Sequence, residues 1–303
     1  MNKLRICYYG SCWPTNIGNS FVNLGAIHSL KSAITGKNKG EVFHFGGMSS
    51  YLFTIRGKSK NTLPAGKMFN CDYMVMGGMT MCEDNFKTQE VVLRQFIKNN
   101  ARIVIAGGGA GKYDEKEVSS VRKWMKKIPI YGFISRDEYT YNKYADLAVH
   151  SFNGIDSAIF ISDFYNPPEL NLSAFAIFNF DKLSEPRIKT DIKLIIRTHH
   201  SCWPPNLKKE YFNFSNTLIS DLPTDYLNLY AKTKITYSDR IHACIATLAY
   251  GNKAMFFGKN SPRLRMFQRI GAKNITDQPV KLDLKALAKE KEMQINFLKE
   301  ILI

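Results

Sequence analysis

Thr236-Tyr237-Ser238-Asp239-Arg240-Ile241-His242-Ala243 is the stretch on which the fold turns, because a short apolar strand hands over to a helix here with charge at the join. The strand is read from Lys234 to Tyr237. In the helix, Ile241, Ile245, Leu248 and Ala249 recur at the spacing of one apolar face, and Gly251 ends it. A strand running into a helix through a polar turn is the unit of an α/β fold. Ser238 or Asp239 is the expected N-cap, which puts Arg240 and His242 in the first turn, where backbone amides lack partners. The helix dipole disfavours a cation there by about 0.3–1 kcal/mol, so the pair reads as a site that expects an anion. The sequence leaves a second reading open, in which Arg240 pairs with Asp239 or another carboxylate and His242 is merely packed.

The same grammar extends outward. Leu4 to Tyr9 is a strand, followed by a loop and a helix from Gly18 to Ile34. Asn16-Ile17-Gly18-Asn19 stands at that helix start, where Gly18 lets backbone approach a ligand and Asn19 is either a cap or a ligand contact. Strands follow at Glu41 to Phe45 and Tyr73 to Met76, separated by a polar stretch, Ile55 to Gly66, read as a surface loop. A helix from Phe86 to Asn99 leads to the strand Arg102 to Ala106 and then to Gly107-Gly108-Gly109-Ala110-Gly111. A glycine-rich turn between strand and helix is where a phosphate or carboxylate meets backbone amides. No G-K-[ST] closes it, and it lacks the glycine order and acidic partner of a dinucleotide site, so a P-loop is excluded and a nicotinamide dehydrogenase is the weakest reading. Arg136 ends the strand Ile128 to Ile134, on the sheet edge that binds ligands in open α/β folds; Asp137 or Glu138 beside it offers an internal partner instead.

Asn166-Pro167-Pro168 breaks the pattern and places a domain boundary between Phe164 and Leu172, giving domains 1–165 and 166–303. A second α/β series then begins, with strands at Phe175 to Phe180, Ile192 to Arg197 and Thr217 to Ser220 and a helix at Thr224 to Ala231. After the opening stretch come a strand at Lys253 to Phe257, the turn Gly258-Lys259-Asn260-Ser261, and a basic helix with Arg263, Arg265 and Arg269 whose first turn Pro262 fits. Lys285 to Leu302 is the closing helix. Ser11-Cys12-Trp13-Pro14 recurs as Ser201-Cys202-Trp203-Pro204, either by chance or as paired loops with Trp13, Trp203, His199 and His200 at one opening.

With 45% hydrophobic and 13% aromatic residues, the chain has the composition of a folded protein. Its six cysteines form no C-x-x-C pair, which suits a reducing cytoplasm and argues against a zinc ribbon or disulfide framework. No apolar run approaches the roughly 20 residues of a membrane span. The net charge of +16 favours acidic partners, among them phosphorylated or carboxylated substrates, nucleic acid and an anionic membrane surface. A basic nucleic-acid-binding protein is the alternative of another class, although no named nucleic-acid module is present and no specific nucleic acid is expected.

Taken in order, Asn16-Ile17-Gly18-Asn19, Ile103 to Gly109, Ile134-Ser135-Arg136-Asp137-Glu138, Asp156-Ser157-Ala158 and above all Ser238-Asp239-Arg240-Ile241-His242-Ala243 resemble the polysaccharide pyruvyl transferase family. The resemblance implies two Rossmann-like domains facing across a cleft, similar to the GT-B architecture. It also implies transfer of a pyruvyl group from phosphoenolpyruvate to two hydroxyls of a sugar, with Arg136, Arg240 and His242 at the family's Arg and His positions. No cofactor or metal is expected. Asn16, Gly18, Asn19, Gly107, Gly108, Gly109, Ser238 and Lys259 are the expected substrate contacts. The partner is a sugar or polysaccharide precursor, carried on lipid in one version of the reading, with the enzyme cytoplasmic or peripheral to a membrane. A GT-B glycosyltransferase using a nucleotide sugar is the nearest alternative.

Overall fold

Short apolar strands alternating with helices build two parallel sheets. The computed structural model describes residues 3–11, 15–35, 40–78 and 80–303. The chain opens with β1 (Leu4–Tyr9), α1 (Gly18–Ala33), β2 (Gly40–Phe45), α2 (Met48–Ile55), α3 (Ala65–Met68) and β3 (Tyr73–Gly77). It continues through α4 (Glu83–Lys98), β4 (Arg102–Gly108), α5 (Glu115–Met125), β5 (Ile130–Ser135), α6 (Glu138–Tyr144) and β6 (Ala148–Asn153). Then come α7 (Ile161–Phe164), β7 (Phe175–Asn179), β8 (Leu194–Thr198), β9 (Thr217–Leu218), α8 (Pro223–Lys232) and β10 (Ile235–Ser238). The last elements are α9 (Ile241–Ala249), β11 (Lys253–Phe256), α10 (Leu264–Arg269) and α11 (Leu284–Ile301).

The first sheet has the order β2-β1-β3-β4-β5-β6 and is parallel throughout. Its central strands bury both faces, as parallel strands covered by helices must. Alternate residues divide between two cores. Ile6, Tyr8, Tyr73, Val75 and Val104 pack with Ala26 and Leu30 of α1 and with Leu298 and Ile301 of α11. Cys7, Tyr9, Met74, Met76, Ile103 and Ile105 face the other way, toward Val92 and Phe96 of α4 and Val121 and Met125 of α5. The period of two in the strand sequence thus becomes two separate apolar layers.

The second sheet has the order β11-β10-β7-β8-β9, also parallel. β7 enters first, the chain builds outward through β8 and β9, and it then returns to lay β10 and β11 on the other side. The order reverses between β7 and β10. In open α/β sheets such a switch point leaves a crevice beyond the carboxyl ends of the two strands, because their following loops diverge.

Contacts divide the chain into one unit of Met1–Ser11, Ala26–Ser157 and Lys289–Ile303, and another of Cys12–Gly25 and Ala158–Ala288. The chain therefore changes unit at several points and not at a single linker, since α11 returns to the first sheet and the start of α1 is counted with the second. Pro167 and Pro168 lie in coil of the second unit. Three smaller expectations are also corrected. Residues 55–66 are not one loop, because α2, a 3-10 turn at Ser59–Asn61 and α3 occupy the region. β9 is only two residues long. Pro262 precedes the N-cap of α10, which is Arg263. Trp13 lies outside the described residues, so the pairing with the Trp203 loop is not addressed.

Candidate functional site

The carboxyl ends of β7 and β10 brace one another through two aspartates. Asp239 accepts backbone hydrogen bonds from Asp181 N at 3.1 Å, Lys182 N at 2.7 Å and Leu183 N at 2.6 Å. Asp181 replies in kind: its carboxylate accepts from Arg240 Nε at 2.7 Å, His199 Nδ1 at 2.9 Å and His200 N at 3.1 Å. Burial alone would push the Asp181 carboxyl up. The His199 hydrogen bond and the Arg240 charge outweigh it and hold the group well below the usual carboxylate range. An ionised, nearly inaccessible Asp181 thus fixes the guanidinium by its Nε edge, leaving Nη1 and Nη2 as the donors for an oxyanion.

This bracing overturns the expected cap of α9. Both oxygens of Asp239 are taken by the 181–183 amides, and the Ser238 hydroxyl, fully buried, donates to Asn179 Oδ1 at 2.8 Å and accepts from Arg240 N at 2.8 Å. The N-cap is Arg240, with extended backbone and no side-chain cap. The helix therefore begins at Ile241, without a side-chain cap from its N-cap residue.

A cavity of about 80 Å³ lies here, lined by Asn16, Lys182, His200, Arg240, His242 and Arg263 together with Asp239, Ile241, Phe256 and Ser261. Three cationic side chains meet, and the one carboxylate among the lining residues is already committed to backbone. Partial burial, followed by the charges of Arg240 and Arg263, holds the Lys182 ammonium below the ordinary lysine value. Lys182, Arg240 and Arg263 thus raise the local positive potential at this position, while Arg240 is also ion-paired with Asp181.

His200 forms one wall. Its Nε2 shares a hydrogen bond with Tyr230 Oη at 2.7 Å, which in turn meets Thr198 Oγ1 at 3.0 Å, while Phe21 packs edge-on against the ring. Nδ1, in a fully buried side chain, makes no hydrogen bond among the described residues. Burial pushes the His200 pKa down to about 3, against the opposing pull of Asp181, so the ring is neutral at physiological pH. In the unfolded chain the same group titrates near 6.5, so below that pH the unfolded state binds the extra proton and stability falls as pH falls toward 3. Between pH 7 and pH 5 the loss from this group is expected to be about 2 kcal/mol. Urea titrations at the two pH values check it; an identical loss in His200→Gln would assign the effect elsewhere.

His242, the second residue of α9, is placed by α1. A Cβ on Gly18 would lie 2.9 Å from His242 Cβ and 3.1 Å from its Nδ1, so only glycine lets the two elements approach this closely. Ile17 N donates to His200 O at 2.7 Å and secures the same loop. Gly18→Ala is expected to displace the imidazole and lower turnover about tenfold or more, since sub-ångström shifts of a reacting group matter this much. Turnover and thermal melting measured together distinguish this from a loss of fold, and unchanged turnover would show that the contact is irrelevant.

Of the residues expected from sequence, Asn16, Arg240 and His242 line the cavity and Gly18 backs it. Asn19 lies inside α1 and accepts from Asn16 Nδ2 at 3.2 Å, so it is not the cap. Ser238 is consumed inside the brace, and Lys259 is exposed and paired with Asp277 at 3.3 Å. In the first unit, Arg136 is 2% exposed and ion-paired with Asp156 at 3.2 Å, which selects its internal-partner reading with a different carboxylate. Gly109 is packed on that guanidinium, Gly107 faces Ser157, and Gly108 is crowded by Ile105. The anion expected at the glycine-rich turn is the chain's own: the Glu117 carboxylate takes the amides of Gly111, Lys112 and Tyr113 at 2.8–3.2 Å. Asp181, Lys182 and Arg263 are not among the site residues expected from sequence, and His200 enters there only through the reading of paired Trp loops. The available signal was that Phe178-Asn179-Phe180-Asp181 and Tyr237-Ser238-Asp239 both run a strand into an aspartate. Among the described residues no group of three His, Cys, Asp or Glu could hold a metal ion, and no helix is long and apolar enough to cross a membrane.

Two Rossmann-like parallel sheets, one with a cationic crevice at its switch point, define a GT-B-like α/β protein. Comparison with solved structures gives the same fold. The chain is similar to a putative UDP-N-acetylglucosamine 2-epimerase from Listeria monocytogenes (11% identity, TM-score 0.57, 99% of this chain and 91% of that one). It is also similar to the UDP-GlcNAc 2-epimerase of Methanocaldococcus jannaschii (12%, 0.56, 97% and 93%) and to S. aureus MnaA, solved with UDP (13%, 0.51, 98% and 94%). No curated protein matches the chain. The family model for polysaccharide pyruvyl transferase matches residues 13–258, and the chain belongs to that family, which makes it a transferase.

Proposed function

We propose that the enzyme transfers a pyruvyl group from phosphoenolpyruvate to two hydroxyls of a sugar in a polysaccharide or its precursor. The observation that carries this reading is the convergence of Arg240, Arg263, Lys182 and His242 on one small cavity at the β7–β10 switch point. Phosphoenolpyruvate is compact and carries both a carboxylate and a phosphate, so it matches a site with more cations than a single carboxylate needs. Arg136 is left out of this reading: its ion pair with Asp156 is 2% exposed on both sides, whereas Arg240, held by Asp181 through Nε, still lines the cavity.

In this scheme His242 protonates the methylene carbon of the enol, which leaves the central carbon electrophilic. One sugar hydroxyl adds there and gives up its proton. The bond to the phosphate oxygen then breaks, phosphate departs with the electron pair, and the second hydroxyl adds to close the ketal. The two hydroxyl protons balance the one delivered to carbon and the one released with phosphate. Arg240 and Arg263 stabilise the charge that grows on the leaving phosphate, and His242 serves as acid and then as base. Arg240→Lys keeps the charge but loses the fork gripped by Asp181, and its turnover is expected to fall about tenfold.

The test is phosphate release from phosphoenolpyruvate as a function of added sugar or sugar-linked lipid. Sugar-dependent release, with a product heavier than the acceptor by one pyruvate ketal, supports the reading. Thermal stabilisation by a nucleoside diphosphate sugar, with none by phosphoenolpyruvate, would replace it with a glycosyltransferase.

A further inference from the structure

Residues 48–68 of the first unit carry a surface that the pocket does not use. α2 is anchored along one side: buried Ser50 shares a hydrogen bond with Tyr9 Oη at 2.9 Å, and Thr54 Oγ1 donates to Thr88 O at 3.4 Å. Positions 50 and 54 lie one turn apart, so the opposite side of the helix presents Leu52, Ile55 and Arg56, with Phe53 on its flank. Leu52 is 48% exposed, Phe53 38% and Ile55 55%, and beyond the helix Leu63 and Met68 are 58% and 47% exposed. Single exposed apolar residues are ordinary, but five within so short a segment are not.

The charge on this segment is one-sided. No Asp or Glu occurs between Glu41 and Asp72, while Arg56, Lys58, Lys60 and Lys67 are interleaved with the apolar side chains and exposed. None of these four takes part in an ion pair among the described residues. A second copy of the chain would bring the same cations against themselves. A nucleic-acid backbone would satisfy the charges but gain nothing from Leu52, Ile55 and Leu63. An anionic bilayer answers both features, because aliphatic and phenyl groups partition to the headgroup boundary while cations meet lipid phosphates.

We propose that residues 48–68 dock the enzyme on an anionic membrane surface, with Leu52, Phe53, Ile55, Leu63 and Met68 entering the interface and Arg56, Lys58, Lys60 and Lys67 contacting headgroups. The inference is independent of which donor the pocket takes, and the following binding experiment involves no turnover.

The full chain is sedimented with vesicles of phosphatidylcholine, with or without phosphatidylglycerol, at physiological salt. Partition into the anionic vesicles is expected to exceed that into neutral ones by about 100-fold or more. Arg56→Ala, Lys58→Ala and Lys60→Ala together lower it about 100-fold, at about fivefold per cation. Leu52→Ser with Ile55→Ser lowers it about tenfold at unchanged charge. All of these positions are exposed, so thermal melting stays as in the parent. Equal binding to both vesicle types, no effect of either variant set, or a dimer that the Leu52→Ser, Ile55→Ser variant dissolves would each overturn the proposal, the last by giving the face to a second copy.

Discussion

His242→Ala is expected to lower turnover about 10²–10⁴-fold with phosphoenolpyruvate and acceptor, while the fold and donor binding persist. The range is that of removing a positioned acid–base group. Alanine suits the first turns of α9, and the side chain is only partly buried, so little packing is lost. Arg240 and Lys182 stay in place because the aspartate brace that holds them does not include His242. Thermal stabilisation by phosphoenolpyruvate should therefore survive when turnover does not. If the variant keeps parental turnover, His242 has no role in proton transfer; if it loses donor binding as well, the residue acts as an anion ligand.

Asp239→Ala should be the most damaging single change to the second unit. The carboxylate is 4% exposed and accepts three backbone amides at the end of β7. Removing it strands those donors in a closed turn, and a loss of about 4 kcal/mol is the scale for breaking a buried, charge-assisted set from one side. The damage does not stop at stability. Residues 181–183 are the segment it holds, so Asp181 loses its register and with it the grip on Arg240, while Lys182 leaves the cavity wall. Turnover is expected to fall about 10²-fold in the fraction that still folds. Asp239→Asn keeps one acceptor oxygen and belongs between the two. Urea unfolding and turnover on the same preparations check both halves; a variant with parental stability would mean that the brace is dispensable.

The brace also explains why the cavity residues come from such distant stretches. Lys182 follows β7, His200 follows β8, Arg240 and His242 follow β10, and Asn16 lies just before α1. In a parallel sheet every strand ends on the same edge, so residues far apart in sequence but just past strand ends become neighbours.

That rule marks what the sequence by itself determined. The alternation of apolar strands and amphipathic helices is a local pattern, and it was enough to specify an α/β chain, the position of β10 and α9, and the presence of Arg240 and His242 where one hands over to the other. Capping and pairing were not local. Ser238 and Asp239 have the chemistry of N-caps, yet their oxygens are taken by partners about sixty residues away on β7 and its following loop. Arg136 looks open to ligand in sequence, and only the fold supplies Asp156 to pair with it; Glu117, by contrast, fills the glycine-rich turn from the helix that follows it directly. Side-chain type and spacing can announce a charge that needs a partner; which atom answers it depends on strand order, and strand order exists only once the sheet has closed.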